Sequence, residues 1–246
     1  MIIPILAVVA ILTYLAWIRI EPLAWRIPLG LISGTVFVAL VMLLLVNFDR
    51  HYGMKKVTKT ETQQIYSAVG DKLPIGILVT KELGTQADNY VLVYADKPAG
   101  KATAHFVPDT KHMVKAVKKS ATYREVNVAE ATVKTTTTRW EWQNGAFKFL
   151  LGFGGEGGTI AKQSSVVTIP KSSWLAVTDT QAKQLTKMQG AQDATQQPAL
   201  QQAVAEQVMA YREANPTATP AQLAQVEQKV TTETTLAAVK KMLAEN

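Results

Sequence analysis

Ile27-Pro-Leu-Gly-Leu-Ile-Ser-Gly-Thr-Val-Phe-Val-Ala-Leu-Val-Met-Leu-Leu-Leu-Val-Asn-Phe48 is a run of 22 residues without a charge. Its most polar members are Ser33, Thr35 and Asn47. At 1.5 Å per residue a helix over this run spans about 33 Å, enough for a hydrocarbon core of about 30 Å. A core helix of a soluble protein would carry a polar stripe, and none can be drawn here. The run therefore reads as a transmembrane helix. Toward the N-terminus, Ile2 to Ile18 is a second uncharged stretch of 17 residues. A cleaved secretory signal is the alternative for it, but signals have a basic n-region and Met1-Ile2-Ile3-Pro4 has no Lys or Arg. The intervening loop, Arg19 to Arg26, holds Arg19, Glu21 and Arg26, the only charges before Asp49. Trp17 and Trp25 flank it as interfacial anchors do, and Pro28 suits the first turn of a helix. Spans of about 2–18 and 27–48 make a transmembrane hairpin in the cell membrane, with the lipid bilayer as first partner.

Gly30 and Gly34 form a G-x-x-x-G, a spacing at which a second helix backbone approaches closely. The first helix of the same hairpin is the simplest occupant; another membrane protein or a second copy is the other. Orientation is read from opposed signals. Arg50, Lys55, Lys56 and Lys59 after the second span argue for a cytoplasmic domain. The first helix argues the reverse, with two arginines after it and no basic residue before it. The domain is rich in Lys, Thr, Gln and Ala and lacks Cys, which resembles exported domains of Gram-positive bacteria. The expectation leans extracytoplasmic.

The chain has 246 residues, 26 Lys+Arg, 19 Asp+Glu, three histidines and no cysteine. That excludes disulfide scaffolds, thiolate metal sites and a Cys nucleophile. From Asp49 to Val177 there are 18 basic and 11 acidic residues, so the net charge of +7 belongs to this segment. Its pattern is β. Tyr90 to Tyr94 is a run of β formers, and Ala102 to Val107 follows across Pro98-Ala99-Gly100. Tyr123 to Val128, Thr132 to Trp142, Ser164 to Ile169 and Trp174 to Val177 are further strands, and Leu73 to Val79 an early one. Asn144-Gly145, between Trp142 and the run Ala146 to Leu150, predicts a β-hairpin. With six to eight strands, residues 49–177 are expected to form a mainly antiparallel sandwich or barrel, giving an α+β chain.

Trp140 and Trp142 share a strand face, usually core and otherwise a stacking platform. No RNP motif accompanies them, and nucleic acid is not the expected partner. Gly152-Phe-Gly-Gly-Glu-Gly157 matches G-x-G-x-x-G by letter. A dinucleotide loop needs a strand before it and a helix after it, and a strand is expected here from Ala161. A Walker A needs Lys-Ser/Thr where Thr159-Ile160 stands. A flexible hairpin loop is the expectation. Phe149, Leu151 and Phe153 lead into it, a candidate apolar contact with the bilayer interface or a partner groove.

Residues 178–246 form a helical tail. Thr178…Gln181 and Thr219-Pro220-Ala221-Gln222 are helix start signals. Leu200, Val204, Val208 and Tyr211, then Leu223, Val226 and Val230, form apolar stripes that break heptad phase. Antiparallel self-pairing, packing on the β domain and a partner are the open choices. No catalytic constellation is legible: Ser164-Ser165 lacks a G-x-S-x-G frame, and His51, His105 and His112 have no ligand-spaced partners. No cofactor or metal is expected. Lys111, Lys115, Lys118 and Lys119, with Arg124 close after, are a candidate anion-binding cluster facing lipid or wall polymer.

Asn47-Phe48-Asp49-Arg50, Trp140-Glu141-Trp142-Gln143-Asn144-Gly145 and the Gly152–Gly158 loop, in the order hairpin, basic β domain, helical tail, resemble an uncharacterised two-span membrane protein family of lactic-acid bacteria, a domain of unknown function. The resemblance implies association with major-facilitator drug exporters and supplies no catalytic residues. The leading expectation is a non-enzymatic, membrane-anchored interaction protein, accessory to a transporter. An anion-binding surface module and a tethered enzyme with a spatially assembled site are the alternatives.

Overall fold

The computed structural model describes the chain apart from residues 71–72, 85–88, 109–110, 112–115, 193–196 and 245–246, and at 186–192 and 197–200 the backbone only. The architecture is α+β. Two apolar helices come first, α1 (Ile2–Ile18) and α2 (Leu23–Arg50). Strands β1 (Met54–Gln64), β2 (Gly76–Glu82), β3 (Tyr90–Tyr94), β4 (Thr103–His105), β5 (Lys119–Val126) and β6 (Thr132–Trp142) follow. A short helix α3 (Gly145–Leu151) precedes β7 (Ile160–Pro170) and β8 (Trp174–Thr178). Helices α4 (Asp179–Gln192), α5 (Gln197–Ala214) and α6 (Pro220–Ala244) close the chain. Two compact units result: Met1–Lys59 with Thr137–Lys162, and Thr60–Thr136 with Gln163–Asn246.

In the first unit, α2 is the one helix among the described residues long and apolar enough to cross a membrane. Only 6% of its apolar window is buried, whereas a core helix would be mostly buried. Its 28 residues extend about 42 Å. The 17 residues of α1 reach about 26 Å and fall short of that length. The second helix starts at Leu23, capped by Pro22 in an extended conformation, so Pro28 lies inside it rather than in its first turn. A proline so near the start removes one donor, to the carbonyl of Ala24, and the helix continues. Trp17 of α1 lies over Gly30. A Cβ there would stand 2.7 Å from the indole Nε1, so the first glycine serves the contact within the helix pair. Gly34 has nothing within 4 Å.

The strands make two four-stranded sheets, in the orders β1-β6-β7-β5 and β4-β3-β2-β8. Strands β2–β3 and β3–β4 run antiparallel. The hydroxyls of Thr58 and Thr138 meet at 2.9 Å and those of Thr60 and Thr136 at 3.4 Å, an antiparallel progression of β1 along β6. The domain is antiparallel-rich, as expected, and two pairs, β2–β8 and β5–β7, are parallel, so both sheets are mixed. Parallel partners require the chain to return from far away, and local alternation carries no sign of it.

The second unit has three layers. Leu78, Leu92 and Tyr94 from one sheet and Ala121, Val133, Val167 and Ile169 from the other share one core. On the opposite side of β2 and β8, Ile77, Leu175 and Val177 pack on Leu185 of α4 and on Leu236 and Val239 of α6. Ile77 and Leu78 are adjacent and both 0% exposed, which only a strand covered on both faces allows. The helical tail is thus a cover: α6 lies on the sheet, where Thr232 Oγ1 donates to the Pro74 carbonyl at 3.2 Å, and α5 lies along α6. Capping boxes open α4 and α6. Thr178 and Thr219 each receive the N–H three residues on, and Gln181 and Gln222 accept back from their backbone N–H groups.

Asn144-Gly145 is not a hairpin turn. Asn144 caps α3, its Oδ1 accepting the Phe147 N–H at 3.0 Å. Asparagine serves turns and caps alike, and the apolar spacing then decides. Phe147 and Leu151, four apart, turn inward while Phe149 turns out, which is helical period.

Candidate functional site: an aromatic collar at the exit of the second helix

Every residue of this site belongs to the first unit. The last turn of α2 contains Asn47, Phe48, Asp49 and Arg50. Asn47 is 1% exposed, and its Nδ2 donates to the Tyr52 carbonyl at 2.6 Å. His51 takes a left-handed conformation, φ 55°, and its N–H donates to the Asn47 carbonyl at 2.8 Å. A left-handed residue directly after a helix closes the orphan carbonyls of its last turn. Gly53 follows at φ 82°. The Phe147 ring stands 2.7 Å from where a Gly53 Cβ would be, so both conformation and space demand glycine. The chain passes from α2 into β1 across Tyr52 and these two positions.

Aromatic rings line this passage. His51 stacks on Trp140 at 4.2 Å between centroids, and Lys56 Nζ lies 5.0 Å from the same ring. Tyr52 meets Phe147 edge-on at 5.7 Å, and Phe48 meets Phe153 at 6.0 Å. Trp142, on the Trp140 side of β6, packs against the glycine-rich segment: a Cβ on Gly157 would be 2.8 Å from its Nε1.

That segment is structured, which corrects the expected flexible loop. Residues Gly152–Gly154 form a 3-10 turn, and Gly155 and Gly158 are left-handed. Arg139 Nη1 donates to the Gly158 carbonyl at 2.9 Å, and Thr159 Oγ1 to the Glu156 carbonyl at 2.7 Å. Strand β7 follows the glycines, so no helix N-terminus faces the loop. Glu156 also places a carboxylate there, with Oε2 buried and unpartnered, and that opposes a phosphate.

Of the candidate apolar contact, Phe149 is 65% and Phe153 44% exposed, while Leu151 is 2% exposed and belongs to the interior of the unit. The nitrogen of Met1 donates to the carbonyls of Phe149 and Leu150 at 2.8 and 3.0 Å. Both are last-turn carbonyls of α3, which have no donor within the helix.

Of the basic candidates, Lys119 and Arg124 are not brought together. Lys115 lies outside the described residues, as does His112. Lys111 and Lys119 are exposed and Lys118 half-buried. Lys119 and Arg124 have opposite parity in β5 and so point to opposite faces of its sheet. Arg124 Nε donates to Thr168 Oγ1 at 3.0 Å.

His105, in the second unit, stacks on Tyr94 at 4.0 Å. Its Nε2 faces both Thr103 Oγ1, at 3.0 Å, and Asp96 Oδ1, at 3.6 Å. A catalytic relay needs the hydroxyl and the carboxylate on different ring nitrogens, so this arrangement is not one. Burial pushes the Tyr94 phenol above its ordinary range, with Asp96 adding to the rise. Among the described residues no three His, Cys, Asp or Glu side chains are grouped to hold a metal ion.

Trp140, Trp142, Phe147 and Phe153 stand out in the sequence, whereas His51 and Tyr52 carry no sign of a place in the collar. The available signal was Gly53, a glycine between an apolar helix and a strand, where the chain turns in the left-handed region.

No curated protein and no solved structure matches the chain. Residues 23–185 match a family that covers α2, the collar, both sheets and the first turns of α4. The chain belongs to that family, described as a domain of unknown function (DUF4811).

Proposed function

We propose that the protein is a non-enzymatic, membrane-anchored interaction protein, held by two spans, α1 and α2, with its β domain as the binding module and leaning to the outer side of the membrane. The observation that carries this is the apolar surface of α2. Leu31, Ile32, Val38, Met42 and Leu45 are all exposed, on several sides of one helix. Water does not tolerate so large a patch, and lipid does. In α1, Val8, Ile11, Leu12 and Ile18 are exposed in the same way. A short span crosses with local thinning of the bilayer. The family resemblance supports a membrane transporter as partner, and the open side of α2 at Gly34 leaves room for a second helix.

Single cysteines at Ile3, Glu21 and Ser172, treated with a membrane-impermeant maleimide on intact cells, test the anchoring. Two spans place Ile3 and Ser172 on one side and Glu21 on the other. If Ile3 reacts together with Glu21, α1 does not cross. A photoreactive residue at Gly34 tests the partner: a cross-link to a transporter supports the accessory role, and lipid adducts alone refute it.

An anion-binding module is the second reading, favoured by the outer face of the β1-β6-β7-β5 sheet within the second unit. Arg124 and Lys134 are exposed on it beside the hydroxyls of Thr60, Thr62 and Thr136. By strand parity, the described residues of that face include no carboxylate. Neutralising Arg124 and Lys134 should weaken salt-sensitive binding to anionic vesicles. Unchanged binding removes this reading.

A further inference from the structure

We propose that α3 and the 3-10 turn after it form an interfacial helix, seated where lipid headgroups meet acyl chains, with Phe149 and Phe153 entering the acyl edge. This rests on the reading that α2 spans the bilayer.

Three observations place it there. The first is level. Phe153 packs on Phe48, in the last turn of α2, and the Met1 nitrogen meets the end carbonyls of α3. The start of α1, the end of α2 and the end of α3 therefore lie at one height. Asp49 and Arg50, both strongly exposed, mark that height as the boundary of the apolar zone.

The second is continuity. Phe48 is 50% exposed and belongs to the lipid-facing surface of α2. Phe153 touches it, and Phe149 extends the apolar surface outward along α3. A protein groove would have to share this surface with the bilayer; lipid already covers the neighbouring turn of α2. The one charge on α3 is Lys148, exposed, a side chain that reaches from an apolar boundary to headgroups.

The third is rigidity. Leu151 is buried, Phe147 is wedged over Gly53, and Asn144 caps the first turn. The helix cannot rotate to hide Phe149 without undoing these contacts. It displays an aromatic residue from a fixed support, as interfacial helices do.

The chain has no cysteine, so a single introduced thiol carries a unique environment-sensitive fluorophore. Full-length protein is reconstituted in phosphatidylcholine vesicles brominated at a shallow or a deep acyl position. Labels at Phe149→Cys and Phe153→Cys are compared with Val38→Cys in mid-α2 and Ser172→Cys in a strand turn. The expected result is at least a twofold stronger quenching of the Phe149 and Phe153 labels by shallow than by deep bromine. Val38 should show the reverse, and Ser172 no quenching. If Val38 is quenched while Phe149 and Phe153 are not, the interfacial helix is overturned. Shielding of those two from aqueous iodide would then assign the patch to a protein partner or a second copy. If Val38 is itself unquenched, the membrane-anchor reading falls, and the interfacial helix falls with it. Phe149 is the decisive site, because its exposed ring can be replaced without emptying an internal contact.

Discussion

Gly53 combines a backbone demand with a packing demand. A left-handed residue with a Cβ costs about 1–2 kcal/mol, and forcing an atom into a filled site costs about 1–3 more. Gly53→Ala should therefore lose on the order of 2–5 kcal/mol from the first unit, read as a lower thermal midpoint in detergent. An unchanged midpoint would mean that Phe147 does not pack there. Tyr94 makes a different kind of demand. Its phenol is buried, and its folded value lies above the ordinary one. The folded state keeps a proton that the unfolded chain releases near about pH 10. Stability from this group is thus complete below that range and is lost as pH rises through it toward the folded value. Urea midpoints over about pH 7 to 11 should fall steeply at the alkaline end, and Tyr94→Phe should remove most of that fall. A variant as alkali-sensitive as the parent would move the cause to Tyr123, which burial also raises.

At the scale of elements, α3 is held by buried Leu151, by Phe147 over Gly53 and by its Asn144 cap, and the cap is the most accessible of these contacts. Asn144→Ala leaves the Phe147 N–H without its acceptor and should cost about 1 kcal/mol. Amide exchange at residues 145–151 should then speed several-fold while β6 stays protected. Equal protection would show that packing alone holds the helix. The same element marks the limit of what the sequence discloses. Strand β6 was legible to the residue, because Thr132 to Trp142 is a dense run of β formers. The capping boxes at Thr178 and Thr219 were legible for a similar reason, since cap and acceptor are three residues apart. Helix α3 was not, because Asn-Gly suits two local structures and the deciding spacing, Phe147 to Leu151, covers only one turn. Strand β1 was missed because it is exposed along most of its length and has no apolar alternation. The pairing of β2 with β8 depends on residues 98 positions apart, which no local period encodes. Within the collar, Trp140 was visible as an aromatic on a strand face. Its partner His51 was not, since a lone histidine after an apolar helix carries no pattern.

Over the whole molecule, charge and apolar surface divide the labour. The positive surplus lies in residues 49–177, and the last 69 residues carry almost none. That segment balances six basic against seven acidic residues, and much of its work is cover. Its α6 returns to the sheet 158 positions after Pro74 and closes the outer face of β2 and β8. The prediction at this scale concerns that closure. Leu236 is 7% exposed among Ile77, Leu175 and Val177, whereas Met209 in α5 is 65% exposed. Leu236→Ala should lower unfolding stability by about 2–4 kcal/mol, the sum of lost transfer energy and a cavity. Met209→Ala should change it by less than about 0.5 kcal/mol. Denaturant midpoints followed by far-UV dichroism separate the two. Equal and negligible effects would mean that α6 is not docked. The apolar outer face of β2 would then need another occupant, because a strand with Ile77 on one face and Leu78 on the other is stable only when both faces are covered.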